Sequence, residues 1–168
     1  KLCEVQGVGK NSAIQLAAIG ELYKRVIEEG AVKRTPYKTI EELVALVRSQ
    51  YFNEKNEKLL FLCFDSAMRL KKIEAFTEGD SVRTSAELKP VISKILENDP
   101  SFVIMTHNHP EGSALPSNLD VDSTMTVSTT LRRLGINLVD HIIINRTAYY
   151  SMRDDSRYKG FFDTEIKE

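Results

Sequence analysis

The chain has 168 residues, of which 42% are hydrophobic and 28% charged, and its formal charge is −1. That length supports one full core plus a small appendage, and the composition is that of an ordinary globular protein. Near-neutrality argues against a wholly basic nucleic-acid binder, and no stretch approaches the ~20 apolar residues of a membrane span.

Residues 1–30 read as a helical segment. Leu2 and Val5 lead into Gly7-Val8-Gly9, and Ser12 with Gln15 forms a capping box that opens a helix. Ala13, Leu16, Ala17, Leu22, Tyr23 and Val26 give this helix an apolar stripe, read as core packing, and Gly30 can end it. Residues 31–38 are polar, contain Pro36 and read as a linker. Residues 1–38 hold seven Lys/Arg against four acids, so this part carries +3 and the rest −4. A mildly basic module is compatible with weak phosphate-backbone contact. Gly7, Gly9 and Lys10, just before a helix, could present backbone N–H groups to a phosphate. A tight turn accounts for the same residues equally well. The chain opens on Lys1 and shows no signal peptide, so a preceding segment is expected.

The second module, residues 39–168, starts with another capping box, Thr39 with Glu42, and a helical face of Ile40, Leu43, Val44 and Val47. Leu59–Phe64 is a continuous apolar run, short enough for a strand buried on both faces. Cys63 lies inside it and reads as a packed thiol, which fits a reducing cytoplasm. Leu70–Phe76 is a neighbouring strand. Residues 86–97 read as a helix with Pro90 near its first turn. Ser101–Met105 is a second buried strand, and Ser117 begins a helix that runs to about Leu134 and closes at Gly135. Leu138–Ile144 and Ala148–Met152 finish the sheet, with Asn145-Arg146 in the turn. Strands and helices in this order suggest a compact α/β/α layer.

The chemistry concentrates in Thr106–Asp120, T-H-N-H-P-E-G-S-A-L-P-S-N-L-D. His107 and His109 follow a rigid strand and point to one side if the chain stays extended. Ser117 and Asp120 stand three apart at a helix start, where a plain N-cap is the simplest reading. Together they give three N/O ligands and an open fourth position, the arrangement of a catalytic zinc. Iron or manganese would accept the same set. Hydrolases built on H-x-H-x-D-H are disfavoured, because Pro110-Glu111-Gly112 follows His109.

The spacing H-x-H-x7-S-x-x-D resembles the JAMM motif of MPN-type zinc metalloproteases. T-H-N-H-P-x-G, P-S-x-x-D and L-G-I-x-L-x-D-H-I-I-I (Leu134–Ile144) resemble the bacterial RadC proteins. The likeness spans roughly residues 39–168, and the G-V-G segment resembles the end of a helix-hairpin-helix. It implies an α/β fold with a cytidine-deaminase-like sheet. It also implies one Zn2+ per chain held by His107, His109 and Asp120, with Ser117 donating to an oxyanion. A glutamate from earlier in the chain would be the general base, and Glu57, before F-L-C-F-D, matches best. The implied activity is a metallopeptidase or isopeptidase in the bacterial cytoplasm, with an association to DNA repair. Glu111 departs from the family's usual small residue. Asp140 and His141 match the family's D-H, and His141 is read as a satisfied histidine at the start of a strand. Rival readings are a DNA-associated protein, a metal-dependent nuclease and a non-catalytic scaffold.

Overall fold

The computed structural model describes residues 2–31, 36–52, 54–76 and 85–162. In chain order these form α1 (Lys10–Ala31), α2 (Ile40–Gln50), β1 (Leu59–Phe64), β2 (Leu70–Phe76), α3 (Ser85–Glu97), β3 (Phe102–Asn108), α4 (Asn118–Arg133), β4 (Asn137–Ile144) and β5 (Tyr149–Ser151). Short 3-10 turns lie at Leu2–Glu4 and Lys159–Phe161. The strands form one sheet in the order β2-β1-β3-β4-β5. Only β3 and β4 run parallel, and α4 makes the crossover such a pair requires.

The apolar runs of β1, β3 and β4 are explained by burial on both faces. Leu60, Leu62, Phe64, Ile104, Ile142 and Ile144 pack against Leu43, Val44 and Val47 of α2. Phe61, Cys63, Met105 and Ile143 point the other way, onto Val91 and Ile95 of α3 and Val127 and Leu131 of α4. The expected α/β/α layering is therefore present. Among the described residues no helix is long and apolar enough to cross a membrane.

Several local expectations are corrected. The first helix begins at Lys10, with the Gly9 carbonyl accepting from the Ala13 N–H at 2.9 Å, so Ser12 lies inside the helix and caps nothing. Its apolar stripe is not core: Ala13 is buried, but Leu16, Leu22, Tyr23 and Val26 are exposed. Amphipathic spacing reports a face that can be covered, and the described elements cover only its start. The helix passes Gly30 and reaches Ala31. Residues 32–35 of the expected linker lie outside the described residues. Tyr37, at its far end, is buried with its ring edge-on to Phe64. Thr39 caps α2 as expected, accepting from the Glu42 N–H at 3.3 Å, but the Glu42 carboxylate takes the N–H of Lys38 instead of closing the box. Pro90 lies inside α3 beyond its first turn, where its ring removes one helical hydrogen bond.

Candidate metal centre

β3 is longer than its apolar stretch suggests and carries His107 within the ladder, opposite Leu59 on β1 and Ile143 on β4. The ladder extends one step further, since the His109 N–H donates to the Ile144 carbonyl at 2.8 Å. The chain is thus extended through both histidines, and their rings fall on the same side. It then turns through Gly112, whose φ of +93° lies in the left-handed region. Asn145 holds this turn by donating to the Gly112 carbonyl at 3.0 Å. The return delivers Ser117 as N-cap of α4.

The cap is reciprocal. Ser117 Oγ accepts from the Asp120 N–H at 3.2 Å, and the Ser117 N–H donates to Asp120 Oδ2 at 2.7 Å. The Ser117 hydroxyl proton also goes to Oδ2, at 2.7 Å. Both readings of this pair coincide: the cap fixes the Asp120 carboxylate, and the carboxylate faces the histidines. His107 Nε2 lies 3.3 Å from Asp120 Oδ1, His109 Nε2 lies 3.7 Å from Oδ2, and the two Nε2 atoms are 2.8 Å apart. Ligand atoms of all three residues fall within 4.8 Å of one another, a cluster that could hold a metal ion.

Glu57 lies just before β1, and its Oε1 is 4.0 Å from His109 Nε2. Its backbone is held by a residue that sequence reasoning passed over. Asn108, between the histidines, accepts from the Lys58 N–H at 2.7 Å and donates to the Asn56 carbonyl at 3.1 Å. The side-chain alternation of β3 makes this possible: the histidines face the cluster while Asn108 reaches across to the segment that carries Glu57. Glu111 is exposed. Gly7, Gly9 and Lys10, the last being the first residue of α1, are exposed.

His141 is corrected most. It is not at a strand start but inside β4, fully buried, with Nε2 2.8 Å from His107 Nδ1. Its Nδ1 lies 2.6 Å from Thr124 Oγ1. The only signal in the sequence was the D-H pair itself, and neither its strand pairing nor the reach of Thr124 can be read from spacing. Asp140 faces the other way, where it accepts from its neighbour's N–H, from Arg153 N–H and from the Ser151 hydroxyl.

The charge states of His107 and Asp120 suit ligands. Burial pushes His107 down to about 4, against the pull of Asp120, so its imidazole is neutral. His109 moves up, chiefly through Asp120. Burial alone would raise the Asp120 carboxyl, but the two histidines and both Ser117 bonds outweigh it and hold it well below its usual range. Beside the cluster runs a groove of 540 Å³, lined by Arg48, Tyr51, Phe52, His109 and Arg146 among others. Arg48 ties its walls together by donating to the Asn145 and Arg146 carbonyls at 3.4 and 3.0 Å.

Comparison with known proteins gives matches over most of the chain. The family model described as "RadC-like JAB domain" matches residues 37–158. A UPF0758 protein of Methanosarcina barkeri is 33% identical over 158 residues, covering 92% of this chain and 68% of the relative. One of Aquifex aeolicus is 30% identical over 155 residues, 92% of this chain and 66% of the relative. One of Streptococcus agalactiae is 27% identical over 156 residues, 93% and 69% respectively. The chain therefore spans about two thirds of the length of these relatives.

Proposed function

The chain belongs to the RadC-like JAB domain family, and from that premise we propose that it is a zinc-dependent hydrolase of the JAMM type, acting on a peptide or isopeptide bond. The observation that carries the reading is the convergence of His107 Nε2, His109 Nε2 and the Asp120 carboxylate within 4.8 Å, with a further carboxylate, Glu57, 4.0 Å from His109. Two imidazoles and one carboxylate make the donor set of an open, catalytic zinc site. A structural zinc would be closed by a fourth protein ligand, and no such group joins the cluster among the described residues.

The three ligands would hold the ion, which when bound makes its water a nucleophile near neutral pH and polarises a carbonyl. Glu57 would accept the water's proton at its carboxylate and pass it to the leaving amine. Its exposure, with 65% of the side chain accessible, leaves it reachable by substrate. Ser117 would donate a hydrogen bond to the oxyanion. In the resting structure its hydroxyl donates to Asp120, and a rotation about its Cβ–Oγ bond would free that proton while Oγ keeps its cap bond and the Ser117 N–H keeps the carboxylate in place. Such a donor is worth about 3 kcal/mol of transition-state stabilisation. The groove beside His109 would seat the chain on one side of the scissile bond.

Glu57→Gln separates binding from chemistry. The variant should keep its zinc and lose turnover of a fluorogenic peptide and isopeptide library by roughly 10²–10⁴-fold. Full activity in Glu57→Gln would show that the base is another group.

A further inference from the structure

We propose that Thr124 and His141 are positioning residues for the metal centre, forming a one-way hydrogen-bond chain that leaves the lone pair of His107 Nε2 bare and aimed at the ligand cluster. The inference rests on the metal-site reading above, but its core statement concerns the protein without metal.

The direction of the chain follows from its end. The backbone carbonyl of Asp120 can only accept, and the Thr124 hydroxyl lies 2.5 Å from it, so the single hydroxyl proton points there. The other neighbour of that hydroxyl, Met152 Sδ at 3.6 Å, is also an acceptor and would draw the proton away from His141 just the same. Toward His141 Nδ1, at 2.6 Å, Thr124 Oγ1 must therefore accept, and the proton between them sits on His141 Nδ1. A neutral imidazole has one N–H, so His141 Nε2 is left as an acceptor. His107 Nδ1, 2.8 Å away, supplies the proton. The neutral His107 ring then has no proton on Nε2, the nitrogen that faces Asp120 and His109.

His109 is oriented by a shorter route. Its Nδ1 lies 2.6 Å from the Ser113 carbonyl, again an acceptor only, so a proton is held there and Nε2 is the nitrogen turned to the cluster. Each ligand histidine is thus oriented by a backbone carbonyl, one directly and one through two side chains. The longer chain also closes on itself. It starts at the carbonyl of Asp120 and ends at a ring facing that residue's carboxylate, so β3, β4 and the first turn of α4 are fixed relative to one another at the site. Partners of this kind set the tautomer and ring orientation of metal-bound histidines.

The test is histidine-15N NMR of the chelator-treated protein together with zinc affinity by competition against a chromophoric chelator. The expected spectrum shows His107 and His141 as single Nδ1–H tautomers with unprotonated Nε2. Thr124→Val, which keeps the side-chain shape without the hydroxyl, should let His141 invert and so erase the single tautomer of His107. It should weaken zinc binding by about 10–100-fold. His141→Leu should lose as much, and His141→Gln, whose amide oxygen can accept from His107 Nδ1–H, should recover most of it. A proton on Nε2 of His107 in the wild type would overturn the proposal. So would undiminished zinc affinity in Thr124→Val and His141→Leu. The wild-type spectrum needs no variant to fold. A wild type with the expected tautomers but no zinc affinity would support the chain and contradict the hydrolase reading alone.

Discussion

His107, His109, Ser117 and Asp120 were legible because they sit within one short stretch of chain, where spacing and an extended backbone already decide which side chains meet. Asn108, Thr124 and His141 were not, because their roles depend on strand pairing and on the height of α4 over the sheet. Glu57 lies between these cases: the resemblance pointed to it, while the residues alone read as a solvated approach to a strand. Cys63 was also legible, as a packed thiol, and the two cysteines differ sharply. Burial, reinforced by Glu74, pushes the Cys63 thiol up to about 12, whereas Cys3 is exposed. One equivalent of a thiol reagent should therefore react with the native protein at pH 8, at Cys3, and a second only in denaturant, since the thiolate is the nucleophile. Two fast equivalents in the native state would contradict the packing of β1. The buried Asp140 offers a second check at this scale. Its carboxylate accepts from two backbone N–H groups and the Ser151 hydroxyl, so Asp140→Ala should cost about 3 kcal/mol in denaturant unfolding by leaving buried donors without an acceptor.

At the scale of elements, helices and strands followed the sequence closely where apolar pattern and end signals agreed. β1 and β2 run over the expected residues, and α4 starts after Ser117. Gly135 closes α4 with φ +76°. No atom lies within 4 Å of where its Cβ would stand, so Gly135→Ala should cost only the left-handed strain, about 1 kcal/mol, read as a lowered unfolding midpoint. A neutral substitution would mean that the turn relaxes to negative φ. β3 runs past its apolar stretch through Thr106, His107 and Asn108, which look polar yet are all buried in the ladder. These polar residues break the apolar pattern because each finds a partner inside the fold: Thr106 the Tyr51 hydroxyl, His107 the His141 ring, and Asn108 the Lys58 N–H and Asn56 carbonyl. The α1 stripe failed for the opposite reason: its periodicity is genuine, but periodicity does not say what packs on it. Leu16, Leu22, Tyr23 and Val26 are exposed in the described structure.

For the whole molecule, the layered fold places the centre where the parallel pair β3–β4 ends and the crossover helix begins, so three elements position it and no single loop does. The cluster holds an ionised carboxylate and a neutral, buried His107 in close contact before any ion arrives. Metal binding should therefore act mainly as ligand-linked stabilisation of an already folded domain. Zinc at 100 times its dissociation constant should raise the unfolding free energy by about 2.7 kcal/mol, and chelation should lower the midpoint without abolishing the folded circular dichroism. Complete unfolding on chelation would instead mark a structural zinc.

The most direct measurement is metal content by mass spectrometry of the wild type and of Asp120→Ala, both purified without added metal. The account predicts about one zinc per wild-type chain, as a single open three-ligand site requires, and loss of that zinc in Asp120→Ala with the fold retained. A wild type that takes up no metal even when zinc is supplied, or an Asp120→Ala protein that keeps a full equivalent, would contradict it.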